Sequence, residues 1–190
     1  GGCFHEYFVE SYHDQMRNLY HLGKLDINRD CVDFFANNGN SSACMFAQHS
    51  WPFLRHPIFV LNSQYDSWQI KQMLGFTSLG YAEKINDYGD RLSKEIINSV
   101  TGSHHQEGQY GNLIHGAFID SCYHHLGQYE IQIDGVSMME ALSAWILGQI
   151  TNQWENVRQI YWDQSKWPCD GCCPQTFKFK ETAEDVVEME

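Results

Sequence analysis

The chain has 190 residues, 12 basic and 24 acidic, and a formal charge of −12 at pH 7. That length suits one domain with a real core, and 43% hydrophobic with 14% aromatic residues excludes a disordered acidic tail. The acidic balance leaves no basic stripe for phosphates or anionic lipid, so nucleic-acid and membrane-surface binding are not expected. No apolar run approaches the roughly 20 residues of a spanning helix.

The opening Gly1-Gly2-Cys3-Phe4 has no initiator Met, charged n-region or apolar h-region, and reads as the result of processing, cloning or truncation. Residues 3–22 mix aromatic and polar groups and read as loop and helix packed on a larger body. Residues 31–57 read as an irregular, cysteine-closed loop. Pro57-Ile58-Phe59-Val60-Leu61-Asn62 then predicts a strand buried on both faces of a parallel sheet. Ser67 to Leu74 has helical spacing, with Trp68, Ile70, Met73 and Leu74 apolar.

A second helix is predicted from Tyr88 to Val100, ended by Thr101-Gly102, and a loop from Ser103 to Gly111. Ala117-Phe118-Ile119 predicts a second buried strand, followed by a turn at Asp120-Ser121-Cys122. Ser137 to Ile150 carries the strongest helix signal. Ser137 caps it, Glu140 completes a capping box, and Met138, Ala141, Leu142, Trp145 and Ile146 form one apolar stripe. The end of the chain, 176–190, reads as a solvated acidic tail.

Seven cysteines (Cys3, Cys31, Cys44, Cys122, Cys169, Cys172 and Cys173) read first as disulfides in an oxidising compartment, with one left over. The glycosylation sequon Asn40-Ser41-Ser42 adds to that secretory reading. Zinc is the competing reading, since Cys169, Cys172 and Cys173 form one knuckle and ten histidines are available. The pairs His104-His105 and His124-His125 fit it poorly, because adjacent residues rarely aim at one tetrahedral ion. No metal and no cofactor are therefore expected.

The alternation of strands and helices is half of an α/β sheet protein. Asp66 stands just past the first predicted strand and His125 just past the second. Reactive groups of open α/β sheets gather outside the carboxyl ends of strands, and an acid followed downstream by a histidine is the second half of the Ser…Asp…His order of α/β-hydrolases. The serine should come first, yet no G-x-S-x-G occurs in these residues. The expectation is therefore a C-terminal portion, residues 1–175, of an α/β-hydrolase domain whose nucleophile lies outside the chain.

These residues resemble the pectin acetylesterases and their animal relative Notum. The run His56-Pro57-Ile58-Phe59-Val60-Leu61-Asn62-Ser63-Gln64-Tyr65-Asp66-Ser67-Trp68-Gln69-Ile70 is similar to the family's strand and catalytic-acid motif. Gly116 through His125 resembles its F-I-x-S-C-(F/Y)-x-H segment, which bears the catalytic histidine. Cys31 and Cys44-Met45-Phe46, the helix 137–150 with Trp145, Trp167-Pro168-Cys169 with Cys172, and Gly1-Gly2-Cys3-Phe4 extend the likeness over residues 1–175. One departure is that the family's H-C-Q reads His125-Leu126-Gly127-Gln128 here, so the register could shift by one and His124 stays a lesser candidate.

The resemblance implies a secreted serine carboxylesterase in which His125 is the general base and Asp66 the acid that orients it. It further implies a Cys31–Cys44 disulfide, and leaves the partner of Cys122 open. The substrate would be an acylated, above all acetylated, polysaccharide such as pectin, or an acylated protein as for Notum. Asp66 could instead be an ordinary helix cap and His125 a loop histidine. Trp68 and Gln69 read as packing and helix surface, and His104 and His105 as loop residues. Two readings of another class are a non-catalytic secreted binding protein on the same scaffold and a zinc-stabilised interaction module. A half sheet should also expose apolar surface where leading strands would pack, and dissolve poorly.

Overall fold

A computed structural model describes residues 10–23, 25–75, 79–102, 113–125, 129–169, 171 and 173–174. The expectations for residues 1–4, the 103–111 loop with His104 and His105, residues 126–128, Cys172 and the acidic tail lie outside them. The chain forms two compact units, one of residues 1–57 and 95–113, the other of 58–94 and 114–190.

In the first unit α1 spans Glu10–Gly23, α2 Arg29–Ala36 and α3 Ala47–Ser50, with single 3-10 turns at Ser41–Met45 and Trp51–Phe53. The stretch expected to be irregular is thus built from short helical turns, each too brief to show a helical period. Asn28 starts α2: its side-chain oxygen accepts the Cys31 N–H at 3.1 Å and its amide donates to the Phe53 carbonyl at 3.1 Å. A Cys31–Cys44 disulfide joins α2 to the first 3-10 turn. Both half-cystines are buried with Phe53, against Ile27, Val32 and Phe35.

In the second unit the elements follow as β1 Phe59–Ser63, α4 Ser67–Gln69 with a π-helical turn Ile70–Leu74, α5 Ala82–Val100 (running on into the first unit), β2 Gly116–Asp120, β3 Gln132–Ile133, β4 Val136–Ser137, α6 Met138–Thr151 and β5 Ile160–Trp162. β1, β2 and β5 form one parallel sheet in the order β1-β2-β5, with Phe59 opposite Gly116 and Ala117 opposite Ile160. This is an α/β fold. β3 and β4 form a hairpin whose turn residues, Asp134 and Gly135, have φ of 53° and 79°, the left-handed pair a tight hairpin turn requires.

Three sequence expectations shift. β2 is buried along its whole length, but β1 lies at the edge of the sheet among the described residues and its Leu61 is 38% exposed. α5 starts at Ala82 rather than Tyr88 and buries Ile85, Tyr88, Leu92 and Ile96. The capping box at Ser137 and Glu140 forms as expected, with Ser137 holding the Glu140 carboxyl below its usual range. The buried stripe of α6, however, is Met138, Ala141, Trp145 and Gly148. Ile146 faces outward with Met139, Leu147 and Ile150, because α6 is apolar nearly all round and periodicity alone does not choose its inner face.

The face of the sheet under α6 is packed closely. Phe118, Met138, Ala141 and Tyr161 share one cluster with Ile131, Ile133 and Cys122, and the Phe59 and Trp145 rings lie 5.4 Å apart. Gly116 opens the space for those two rings, since a Cβ there would stand 2.4 Å from Phe59 and 2.9 Å from Trp145.

Candidate active site

The tip of β1 is organised by one buried amide. Gln64 donates to the Ser121 hydroxyl at 2.5 Å and to the carbonyls of Asp163 at 3.0 Å and Ser165 at 3.1 Å. Its oxygen accepts from Ser93 of α5 at 2.9 Å and from Trp162 of β5 at 3.2 Å. A single side chain therefore joins all three strand ends to α5. Beside it Tyr65 is fully buried, with its hydroxyl 2.8 Å from Asn86, and burial pushes its phenol up to about 12, so it remains a neutral donor.

Asp66 leaves this anchored tip as the cap of α4. Its Oδ1 accepts the Gln69 N–H at 2.9 Å, and the carboxylate is 2% exposed. The same carboxylate receives the His125 ring: Nδ1 lies 2.8 Å from Oδ2 and 3.0 Å from Oδ1. A carboxylate only accepts, so Nδ1 carries a proton, and in the neutral ring Nε2 is then the nitrogen with the lone pair. The His125 side chain is 45% exposed while its acid is buried. A half-exposed imidazole whose tautomer is fixed by a buried acid can take a proton from an incoming group and return it.

His125 reaches Asp66 through the turn that follows β2. The Cys122 carbonyl accepts from the Ser63 hydroxyl, and Cys122 is bonded to Cys173, which supplies the partner that sequence left open. The N–H of Ser67 donates to the carbonyl of His124 at 2.9 Å. His124, the lesser candidate, turns its ring onto Asp120 instead, with Nε2 2.8 Å and 3.0 Å from the two carboxylate oxygens. Sequence reasoning missed this pair, although an acid and a histidine four residues apart were there to be read.

The expectation for Trp68 and Gln69 is reversed. Trp68 is 42% exposed, with its ring 5.9 Å from that of His125. Gln69 is buried and accepts a hydrogen bond from the Tyr88 hydroxyl. The zinc reading loses two of its three cysteines, because Cys169 and Cys173 are both disulfide-bonded, and a half-cystine has no thiolate to give. No group of three metal-ligating side chains occurs among the described residues, and no helix among them is long and apolar enough to cross a membrane.

The pectinacetylesterase family profile matches residues 3–174. Pectin acetylesterase 7 of Arabidopsis thaliana is 28% identical over 159 residues, which cover 75% of this chain and 39% of that protein. Pectin acetylesterase 11 of the same plant is 28% identical over 148 residues, or 69% of this chain and 36% of the relative. The chain thus spans under two-fifths of the length of these relatives. With the profile running over nearly all of its length, the chain belongs to the pectinacetylesterase family.

Proposed function

We propose that these residues carry the acid and the base of a secreted serine carboxylesterase that removes acetyl groups from the hydroxyls of a polysaccharide such as pectin. Asp66 and His125 are the catalytic pair: His125 Nε2 takes the proton of a serine as it attacks the ester carbonyl, then returns it to the sugar oxygen that leaves. Asp66 holds the tautomer and stabilises the imidazolium. The serine and the oxyanion hole belong to the remainder of a family-length protein, and the 190 residues alone would lack both. The disulfides support an oxidising, extracellular setting.

The observation that carries this reading is the buried acid and half-exposed imidazole meeting at the tips of two adjacent parallel strands. The test is hydrolysis of an aryl acetate and of acetylated pectin by the protein at family length, beside its Asp66→Asn and His125→Gln variants. Turnover should fall by roughly 10³–10⁴ in each variant with the fold intact. Wild-type turnover in both would end the catalytic assignment, and hydrolysis of the aryl acetate without the polymer would leave the esterase but reject the substrate class.

A further inference from the structure

The chemistry above leaves unused a second acid–imidazole pair that lies one residue from His125. Asp120 is fully buried at the end of β2, and His124 is 6% exposed. Their contact is bidentate, and Asp120 Oδ1 also accepts the Cys122 N–H at 2.8 Å. Burial pushes the Asp120 carboxyl above its ordinary range, and the His124 hydrogen bond works against that. Well-packed apolar residues of equal volume are commonly as stable as a buried ion pair, so stability alone is a weak reason for these two.

Position is a stronger one. His124 is held at three points: its ring on Asp120, its N–H on the Cys122 carbonyl at 3.0 Å, and its carbonyl under the Ser67 N–H at 2.9 Å. Ser67 follows Asp66, and His125 follows His124. The Ser67–His124 bond therefore joins the residue after the acid to the residue before the imidazole that the acid receives. The N–H of Ser67 belongs to the first turn of α4, where no intrahelical acceptor exists, so it is available for this link.

We propose that Asp120 and His124 are a positioning pair for His125. The ring of His124, clamped to the strand end, fixes the peptide whose carbonyl meets Ser67, and that peptide delivers the His125 ring to Asp66. His125 as the reacting base comes from the reading under Proposed function; the positioning itself is a statement about geometry and is tested without turnover.

The test is the exchange rate of the His125 Nδ1 proton, followed by NMR in dilute, uniformly 15N-labelled chain and assigned with His125→Gln. His124→Ala alone strands a buried carboxylate, so its unfolding would not speak to position. The informative variant is Asp120→Asn with His124→Ala, which keeps an acceptor for the Cys122 N–H and removes both the ring and the charge. We expect the amides of β2 to stay protected in this double variant while the His125 proton exchanges about tenfold faster or more, a loss in proportion to a charge-assisted hydrogen bond. In Asp120→Asn alone the new amide can donate to His124 Nε2, so the His125 proton should remain protected.

Unchanged exchange in the double variant overturns the proposal, as does its global unfolding, which would assign the pair to the core. Equal loss in Asp120→Asn alone also overturns it. Positioning seen by NMR together with full esterase activity in His125→Gln would retain this proposal and reject the catalytic one.

Discussion

Replacing Gly116 by alanine tests how tightly the site is anchored, because two opposing effects predict opposite signs. Glycine in a strand gives up more chain entropy than alanine, so with room for the methyl group Gly116→Ala would stabilise by about 0.4–1 kcal/mol. There is no room. The added carbon would meet Phe59 at 2.4 and 2.7 Å and Trp145 at 2.9 Å, well inside the roughly 3.5–4.0 Å at which carbons attract. Phe59 cannot simply swing away, since its ring packs on Trp145, and Trp145 is tethered through a hydrogen bond from Nε1 to the Ile114 carbonyl at 3.1 Å. Relief near 1 Å must come from backbone shifts in β1 or α6, which places the cost in the upper half of the about 1–3 kcal/mol typical of overpacking. For a chain of this size about 2–3 kcal/mol lowers the melting midpoint by roughly 4–12 °C. Circular dichroism melts in dilute solution, with Phe59→Leu added to restore part of the loss, check both sign and cause. A midpoint equal to or above that of the unsubstituted chain would refute the steric argument.

Other consequences follow from the same packing. The raised carboxyl of Asp120 contributes stability that is full below its ordinary value of 3.8 and is lost as pH rises through the folded value. Asp120→Asn should therefore gain on the wild type as pH is raised from about 4, and a flat or opposite difference in urea midpoints would count against it. Outward-facing Ile146 and Ile150 are 44% and 77% exposed, so Ile146→Lys with Ile150→Lys should cost on the order of 1 kcal/mol while raising the soluble, monomeric fraction in size-exclusion chromatography. An unchanged fraction would mean that this face does not drive association. Asp66→Asn keeps an oxygen for the Gln69 N–H whereas Asp66→Ala does not, so urea unfolding should find the alanine variant weaker by about 1 kcal/mol.

How much of this was legible depends on whether the signal was local. β2 shows in the sequence because Ala117-Phe118-Ile119 is apolar on both faces and the strand is buried on both. The start of α6 shows because the capping box is spelled by Ser137 and Glu140 themselves. The inner face of α6 does not show, since which of its two apolar stripes is covered depends on the rings of Phe59 and Trp154 that meet it. The hairpin β3–β4 went unread although Asp134-Gly135 between apolar residues is a strong short-range turn signal. Gln64 was not legible at all, because its partners lie 29 to 101 residues away and nothing in the sequence marks an amide as a hub.

Asp66 shows why a bland and a functional reading of one residue need not compete. From spacing alone an aspartate before Ser67 is a helix cap, and the structure has that cap: Oδ1 takes the Gln69 N–H. The capping bond leaves the other oxygen unspent and fixes the plane of the carboxylate, and into that plane comes the Nδ1 of His125. The order of events along the chain makes this economical. A parallel strand ends, a helix begins within a few residues, and the free N–H groups of its first turn hold whatever oxygen stands at the junction. An acid placed there is oriented before any histidine arrives, so only the second strand tip has to be brought into register. That registration is the work of Gln64, of the Ser63 and Ser67 links to Cys122 and His124, and of the Cys122–Cys173 bond. The geometry of the pair is thus a property of two adjoining strand ends, which is why a motif centred on either residue alone left the links between them unread.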